Sequence, residues 1–112
     1  MRIAKSSDWT IKPMPANTSS VKCSLQYTDA QMVHIKQGII PEEMEDKWFI
    51  YFKKSKLYIY RSWSGICLYI VKFDNNSAIK IIINNYKDFN PSVRERPIGL
   101  VDDLINNLLL NT

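Results

Sequence analysis

The residue types best suited to chemistry stand together in Arg61-Ser62-Trp63-Ser64-Gly65, a short run inside the aromatic stretch of residues 48–71. An arginine fork can bind a phosphate through two hydrogen bonds, serine hydroxyls donate and accept, and a tryptophan ring can stack on a nucleobase. Glycine permits a positive φ or a close approach of the backbone. The run therefore predicts either the floor of a nucleotide-binding site or a tight turn in which Arg61 pairs with a carboxylate of residues 42–46.

The sequence contains no recognisable catalytic or metal-binding pattern. His34 is the only histidine and lies in a predicted helix, which favours packing or solvation over base catalysis. The acidic residues within 42–46 have neither an EF-hand loop nor a histidine partner, so they predict a solvated turn. No phosphate-binding glycine loop and no nucleophile with a recognisable base beside it occur. We therefore expect no enzyme activity, no metal and no cofactor.

Hydrophobic periodicity and turn residues indicate the elements that position this run. Thr28 caps a predicted helix that stops at Gly38, with Met32, Val33 and Ile35 as its buried face. The predicted elements are a helix at 29–37, strands at 47–53, 57–62, 66–73 and 78–84, and a helix at 100–110. The predicted fold class is α+β, a four-stranded antiparallel meander packed against a short helix in the N-terminal half and a C-terminal amphipathic helix.

Length, charge and cysteine content set the outer bounds. A chain of 112 residues with 46% hydrophobic content predicts a single domain, 1–112, and turn-forming residues predict an irregular N-terminal arm over 1–20. A net charge of +4 favours anionic partners. Cys23 and Cys67 have no CxxC partner, which favours a reduced protein of the cytosol. The sequence shows no signal peptide and no membrane-spanning stretch, so we expect no membrane partner.

Both faces of the predicted sheet are apolar. In the first predicted strand Trp48 and Ile50 point to one side and Phe49 to the other, and in the third strand Cys67 is expected to share a face with Tyr69. A sheet that is apolar on both faces needs two covers. The helices supply one, and the arm, a second copy of the chain or a ligand stacked on the tyrosines is expected to supply the other. This second apolar face predicts a homodimer.

Three segments carry a family resemblance: GIIPEEMEDKWFIY at 38–51, LY at 57–58 and RSWSG at 61–65. Together they resemble a small bacterial and phage family with the pattern M-E-D-K-W-F-I-Y…L-Y…R-S-W-T-G. Its modules occur alone or beside ADP-ribose-processing domains such as ADP-ribosylglycohydrolases and macrodomains. The resemblance implies a nucleotide-like ligand of the ADP-ribose kind. Ser64 stands where the family usually has Thr, which preserves a hydroxyl, and Tyr60 stands where it often has His, so chemistry that needs this His is not expected.

Three function classes fit these residues. The favoured class is a non-catalytic binder of a nucleotide-derived small molecule, ADP-ribose-like or a cyclic nucleotide, which in a phage would act as a sponge that sequesters a host immune signal. The second is a single-stranded nucleic-acid-binding sheet with tyrosines as stacking platforms, and the third is a dimeric protein-interaction module. The predicted ligand-binding residues are Arg61, Ser62, Trp63, Ser64, Gly65, Trp48, Tyr51, Tyr58, Tyr60 and Tyr69.

Overall fold

The computed structural model describes residues 3–110, which form an antiparallel sheet with helices, so the predicted α+β class is confirmed. The strands are β1 (Thr18–Gln26), β2 (Trp48–Lys53), β3 (Lys56–Arg61), β4 (Cys67–Asp74) and β5 (Ser77–Asn84). The helices are α1 (Asp29–Gln37), α2 (Ser92–Glu95) and α3 (Pro97–Leu104), and a π-helical segment, Ile105–Leu110, follows α3. The strand order is β1-β5-β4-β3-β2, and every neighbouring pair is antiparallel.

The described part of the chain has a five-stranded sheet where the sequence pattern predicted four strands. The additional strand, β1, lies at one edge and takes the last three residues of the predicted arm at 1–20. Its sequence TSSVKCSLQ is polar except at Val21, Cys23 and Leu25, which pack against the core. Polar residues alternate with Val21, Cys23 and Leu25, and this pattern gives only a weak strand signal, because pairing with β5 and burial of one face decide the conformation here.

The helices cover one face of the sheet, which we call the inner face. At the start of α1 the Thr28 hydroxyl accepts a hydrogen bond from the Gln31 backbone N–H at 3.1 Å, as the predicted cap requires. Met32 and Ile35 are buried, but Val33 is 58% exposed. Val33 was wrongly placed on the buried face, because consecutive residues of a helix point in different directions and the contact stripe passes through its neighbours.

The C-terminal segment predicted as one helix over 100–110 has two parts. The α-helix α3 begins earlier than expected, and the chain from 105 to 110 widens into a π-helix. Val101, Ile105 and Leu109 are buried at intervals of one turn and face the sheet. The predicted amphipathic stripe is therefore present, although it crosses a change of helix type.

The N-terminal arm covers part of the opposite face, which we call the outer face. A second buried cluster joins arm to sheet: Ala4, Trp9, Ile11 and Met14 pack against Phe49, Tyr51, Tyr60 and Cys67. The rings of Trp9 and Phe49 stack with centroids 6.2 Å apart. The arm thus supplies a second cover, and homodimer formation stays a prediction.

A bulge in β4 changes which face two side chains occupy. Ile59 of β3 lies opposite Tyr69, but the next residue, Tyr60, lies opposite Cys67, so Leu68 is the extra residue. Leu68 and Tyr69 therefore both join the inner core, and Cys67 packs under the arm on the outer face. The expectation that Cys67 shares a face with Tyr69 is wrong because simple alternation cannot anticipate a bulge.

Candidate ligand-binding cleft

The turn between β3 and β4 is closed by glycine. The Gly65 N–H donates to the Arg61 carbonyl at 2.8 Å, and Gly65 has a φ of +71°. A Cβ at this position would lie 2.6 Å from the carbonyl oxygen of Thr10 in the arm. The Lys12 N–H also donates to the Gly65 carbonyl at 2.9 Å. Glycine is therefore needed both for the turn and for the close passage of the arm.

Ser62 connects the turn to two other segments. Its hydroxyl donates to the Asp46 carbonyl at 2.7 Å, and its N–H donates to the Lys47 carbonyl at 2.8 Å. Its own carbonyl accepts a hydrogen bond from the indole N–H of Trp9 at 2.8 Å. Ser62 is buried, so these bonds satisfy its polar groups and fix the arm and the loop 41–47 to the end of β3.

Trp63 projects from the same turn with most of its surface free. The side chain is 74% exposed, yet its indole N–H donates to the Met44 carbonyl at 2.8 Å, which restricts the ring. Asp46 folds the loop that carries Met44, because its carboxylate accepts hydrogen bonds from the backbone N–H groups of Glu42 and Glu43 at 2.9 and 3.2 Å. An exposed aromatic ring is thereby held in one position beside a structured loop.

The arm, the turn and the loop line two adjoining pockets of 440 and 620 Å³, which together we call the cleft and singly its lobes. Trp9, Ser62 and Trp63 line both lobes. The smaller lobe also has Ser7, Asp8, Thr10 and Ser64, and the larger also has Pro41, Glu42, Glu43, Met44 and Asp46. These volumes fall within the range of small-molecule sites, about 300–1,000 Å³.

The charged residues that line the cleft are all acidic. Asp8, Glu42, Glu43 and Asp46 contribute carboxylates, and no lysine or arginine occurs among the described lining residues. A phosphate in the cleft would meet like charge, whereas a hydroxyl-bearing ligand would find hydrogen-bond acceptors. The cleft thus combines an exposed aromatic ring with carboxylates that can accept hydrogen bonds from hydroxyls.

Arg61 is directed to another partner. Its guanidinium carbon lies 5.0 Å from the centroid of the Trp48 ring, opposite it in the β2–β3 register, which is a cation–π contact. Within residues 3–110 the half-exposed guanidinium has no ion-pair partner, and it is not among the lining residues. The role of Arg61 in holding a phosphate stays a prediction that this arrangement does not favour.

The predicted tyrosines lie away from the cleft. Tyr51 stacks between Tyr58 and Tyr60 on the outer face, with centroid distances of 4.6 and 5.9 Å. Tyr60 is buried, and desolvation raises the pKa of its hydroxyl far above the ordinary value. Tyr69 is buried on the inner face, where its hydroxyl donates to the Val93 carbonyl at 2.9 Å. Tyr58 alone among these four is half exposed.

Sequence reasoning identified Ser62, Trp63 and Ser64 in the cleft lining but missed the contribution of the arm. Residues 7–10 form one wall, although the arm carries no regular pattern that would predict such a contact. The signal that was present is Trp9, an aromatic residue with an indole N–H in an otherwise polar segment. Such a residue commonly packs with its N–H paired, as it does here.

Comparison with protein families, with curated proteins and with solved structures finds no match for this chain. The family resemblance of residues 38–65 therefore stays a prediction. Among the described residues no helix is long and apolar enough to cross a membrane, and no three His, Cys, Asp or Glu side chains gather as a metal site requires.

Proposed function

We propose that the protein is a non-catalytic binding module for a nucleoside-containing small molecule, held in the cleft beside Trp63. The observation that carries the proposal is Trp63 itself: its ring is 74% exposed but anchored at 2.8 Å to the Met44 carbonyl. An exposed ring that is already oriented loses little freedom when a flat ligand stacks on it. A nucleobase has the flat face that this surface fits.

A few polar groups in the cleft suit the sugar of such a ligand, although the larger lobe is lined mostly by apolar surface. Glu42 and Glu43 bear carboxylates that can accept hydrogen bonds from the two ribose hydroxyls, as acidic side chains do in dinucleotide sites. On the other lobe the hydroxyls of Thr10 and Ser64 can donate to or accept from the same ligand. Base and ribose are therefore the parts that the cleft recognises.

The phosphates of a nucleotide ligand would project away from the cleft. The carboxylates repel them, and Arg61 lies over Trp48 rather than among the lining residues. ADP-ribose and cyclic nucleotides remain within the proposed class, since each presents a base with an attached ribose. Sequestration of such a signal needs only binding, which lowers its free concentration by mass action.

The test is calorimetric titration of adenosine and ADP-ribose into the parent and into Trp63→Ala. Loss of one stacked base contact weakens binding by about fivefold to a hundredfold, and Trp63→Phe should recover part of it. Tyr86→Ala is the control, because Tyr86 is also an exposed aromatic residue, at 41%, and does not line the cleft. Thermal unfolding should show that Trp63→Ala keeps the fold, since most of the ring is in solvent.

The ribose contacts are tested by the double variant Glu42→Gln with Glu43→Gln, and by dideoxyadenosine. We expect the double variant to weaken adenosine binding but to leave the weaker binding of the dideoxy analogue unchanged. Absence of binding by every base-ribose ligand to the parent, or binding that is insensitive to Trp63→Ala, would refute the proposal.

A further inference from the structure

A row of lysines crosses the whole sheet. Lys56 lies opposite Lys72 in the β3–β4 register, Lys72 opposite Lys80, and Lys80 opposite Lys22. Lys53 lies opposite Lys56 at the end of the β2–β3 hairpin. We call these residues the lysine row. Since neighbouring strands lie about 4.8 Å apart, the row extends for about 19 Å.

Side-chain alternation places the lysine row on the outer face. The adjacent register positions on the five strands are Val21, Ile81, Val71, Leu57 and Phe52, which all belong to the inner core. Because successive strand residues point to opposite faces, the lysines point away from that core. Lys22 and Lys53 are exposed and the other three lysines are half exposed, so the row is open to solvent, with Lys53 next to residues 3–7 of the arm.

The row is electrostatically unfavourable without a partner. Like charges directly opposite one another on neighbouring strands destabilise a sheet. Within residues 3–110 none of the five lysines has an ion-pair partner. The nearest acidic residue on β4 is Asp74, which lies opposite Ser77 rather than opposite a lysine. An anionic polymer laid across the strands would remove this repulsion along the full length of the row.

The outward-facing residues two positions from the lysines indicate which kind of anionic polymer fits this face. Tyr58, Ile70 and Ile82 lie opposite one another on β3, β4 and β5, and all three are half exposed. The Tyr58 ring is held by Tyr51, with the two planes 7° from parallel. An apolar strip thus runs parallel to the lysine row. A single-stranded nucleic acid offers both a row of phosphates and unpaired bases, whereas a duplex hides its bases and polyphosphate has none.

We propose that the outer face binds single-stranded nucleic acid, with phosphates along the lysine row and bases against the strip of Tyr58, Ile70 and Ile82. If all five lysines contact phosphates, the logarithm of the binding constant falls with the logarithm of salt concentration with a slope of about −3.5. Affinity then drops about a hundredfold between about 50 and 200 mM salt. This site is independent of the nucleoside cleft.

The experiment measures fluorescence anisotropy of a labelled oligothymidylate of about twelve nucleotides, a length within the usual site sizes. The test variant changes Lys56, Lys72 and Lys80 to Gln. The matched control changes Lys12, Lys47 and Lys87, which are exposed and outside the row, and it removes the same charge. The row variant should lose affinity on the order of a hundredfold or more at low salt, and its slope should fall to about −1.4. The control should retain the parent slope.

Several outcomes would overturn the proposal. These are no binding by the parent, equal losses in the two triple variants, and equal binding of an abasic strand. Base contacts predict that the abasic strand binds about fivefold more weakly or worse. If polyphosphate or vesicles of anionic lipid bind as tightly and also depend on the lysine row, the outer face binds anions in general and is not specific for nucleic acid. Thermal unfolding of the row variant should be unchanged or raised, because repulsion is removed.

Discussion

The sharpest test of the fold around the cleft is Gly65→Ala. The φ of +71° costs an alanine about 1–2 kcal/mol, because Cβ crowds the following carbonyl. The added Cβ would also lie 2.6 Å from the Thr10 carbonyl oxygen, and a backbone atom cannot rotate away. The arm must therefore shift and strain its hydrogen bond from the Lys12 N–H to the Gly65 carbonyl, worth about 1 kcal/mol. The expected loss of unfolding free energy is about 2–3 kcal/mol.

The assay is denaturant and thermal unfolding of Gly65→Ala beside Gly99→Ala. A loss of this size lowers the melting temperature by about 10 °C for a chain of this length. Gly99 lies within α3, and the nearest atom to its added Cβ is Arg96 Nη2 at 3.5 Å, so alanine there should stabilise the helix by about 0.5–1 kcal/mol. Hydrogen exchange at Lys12 should accelerate in Gly65→Ala. A Gly65→Ala variant as stable as the parent would show that the contact between turn and arm is absent in solution.

Two further predictions concern single side chains. Arg61→Ala removes the contact with Trp48 and should cost about 0.5–1 kcal/mol of stability without changing adenosine affinity, whereas a loss of about 3–5 kcal/mol would indicate a buried ion pair. Desolvation raises the pKa of the Cys67 thiol to about 12. The folded protein therefore holds this proton more tightly than the unfolded chain, and the resulting stabilisation is complete below the thiol's ordinary pKa and is lost as pH rises towards 12. At about pH 8 iodoacetamide should alkylate half-exposed Cys23 in the folded protein, whereas buried Cys67 should react only after unfolding. Mass spectrometry measures the alkylation of each cysteine. Fast labelling of Cys67 in the folded protein would contradict its burial.

Elements with strong local signals were predictable. The cap at Thr28 and the glycine stop at Gly38 bracket α1 as expected, and the aromatic strands of the meander lie close to their predicted positions. The strand β1 was not predictable in the same way, because its half-polar alternation gains meaning only when β5 lies beside it. The bulge at Leu68 likewise depends on how two strands meet, which one strand's sequence does not reveal.

The site was predictable only where its residues are adjacent in sequence. The run from Arg61 to Gly65 was interpreted as a turn or a binding floor. In the structure Ser62 bonds to the neighbouring loop, and residues 62–64 line the cleft, whereas Arg61 and Gly65 do not. The arm wall around Trp9 comes from residues far away in sequence, so the local sequence indicates at most that Trp9 packs, and not which residues it packs against. Arg61 contacts Trp48 because the register of β2 and β3 places the two residues opposite each other. This register could not be read from the types of the candidate residues alone.

The net charge of +4 conceals two surfaces of opposite sign. The member of the lysine row on β3 is Lys56, the first residue of that strand. The cleft with its acidic residues begins at Ser62, just beyond the last residue of the same strand. At about 3.3 Å per residue the two lie about 20 Å apart along the strand, more than two Debye lengths at physiological ionic strength. Each proposed ligand would therefore be little influenced by the charge of the other surface. An anionic polymer would be attracted to the row and repelled by the cleft, while a neutral base with a ribose would lose nothing by entering the cleft. Salt should thus weaken polymer binding and leave nucleoside binding nearly unchanged, and this contrast separates the two proposals within one protein.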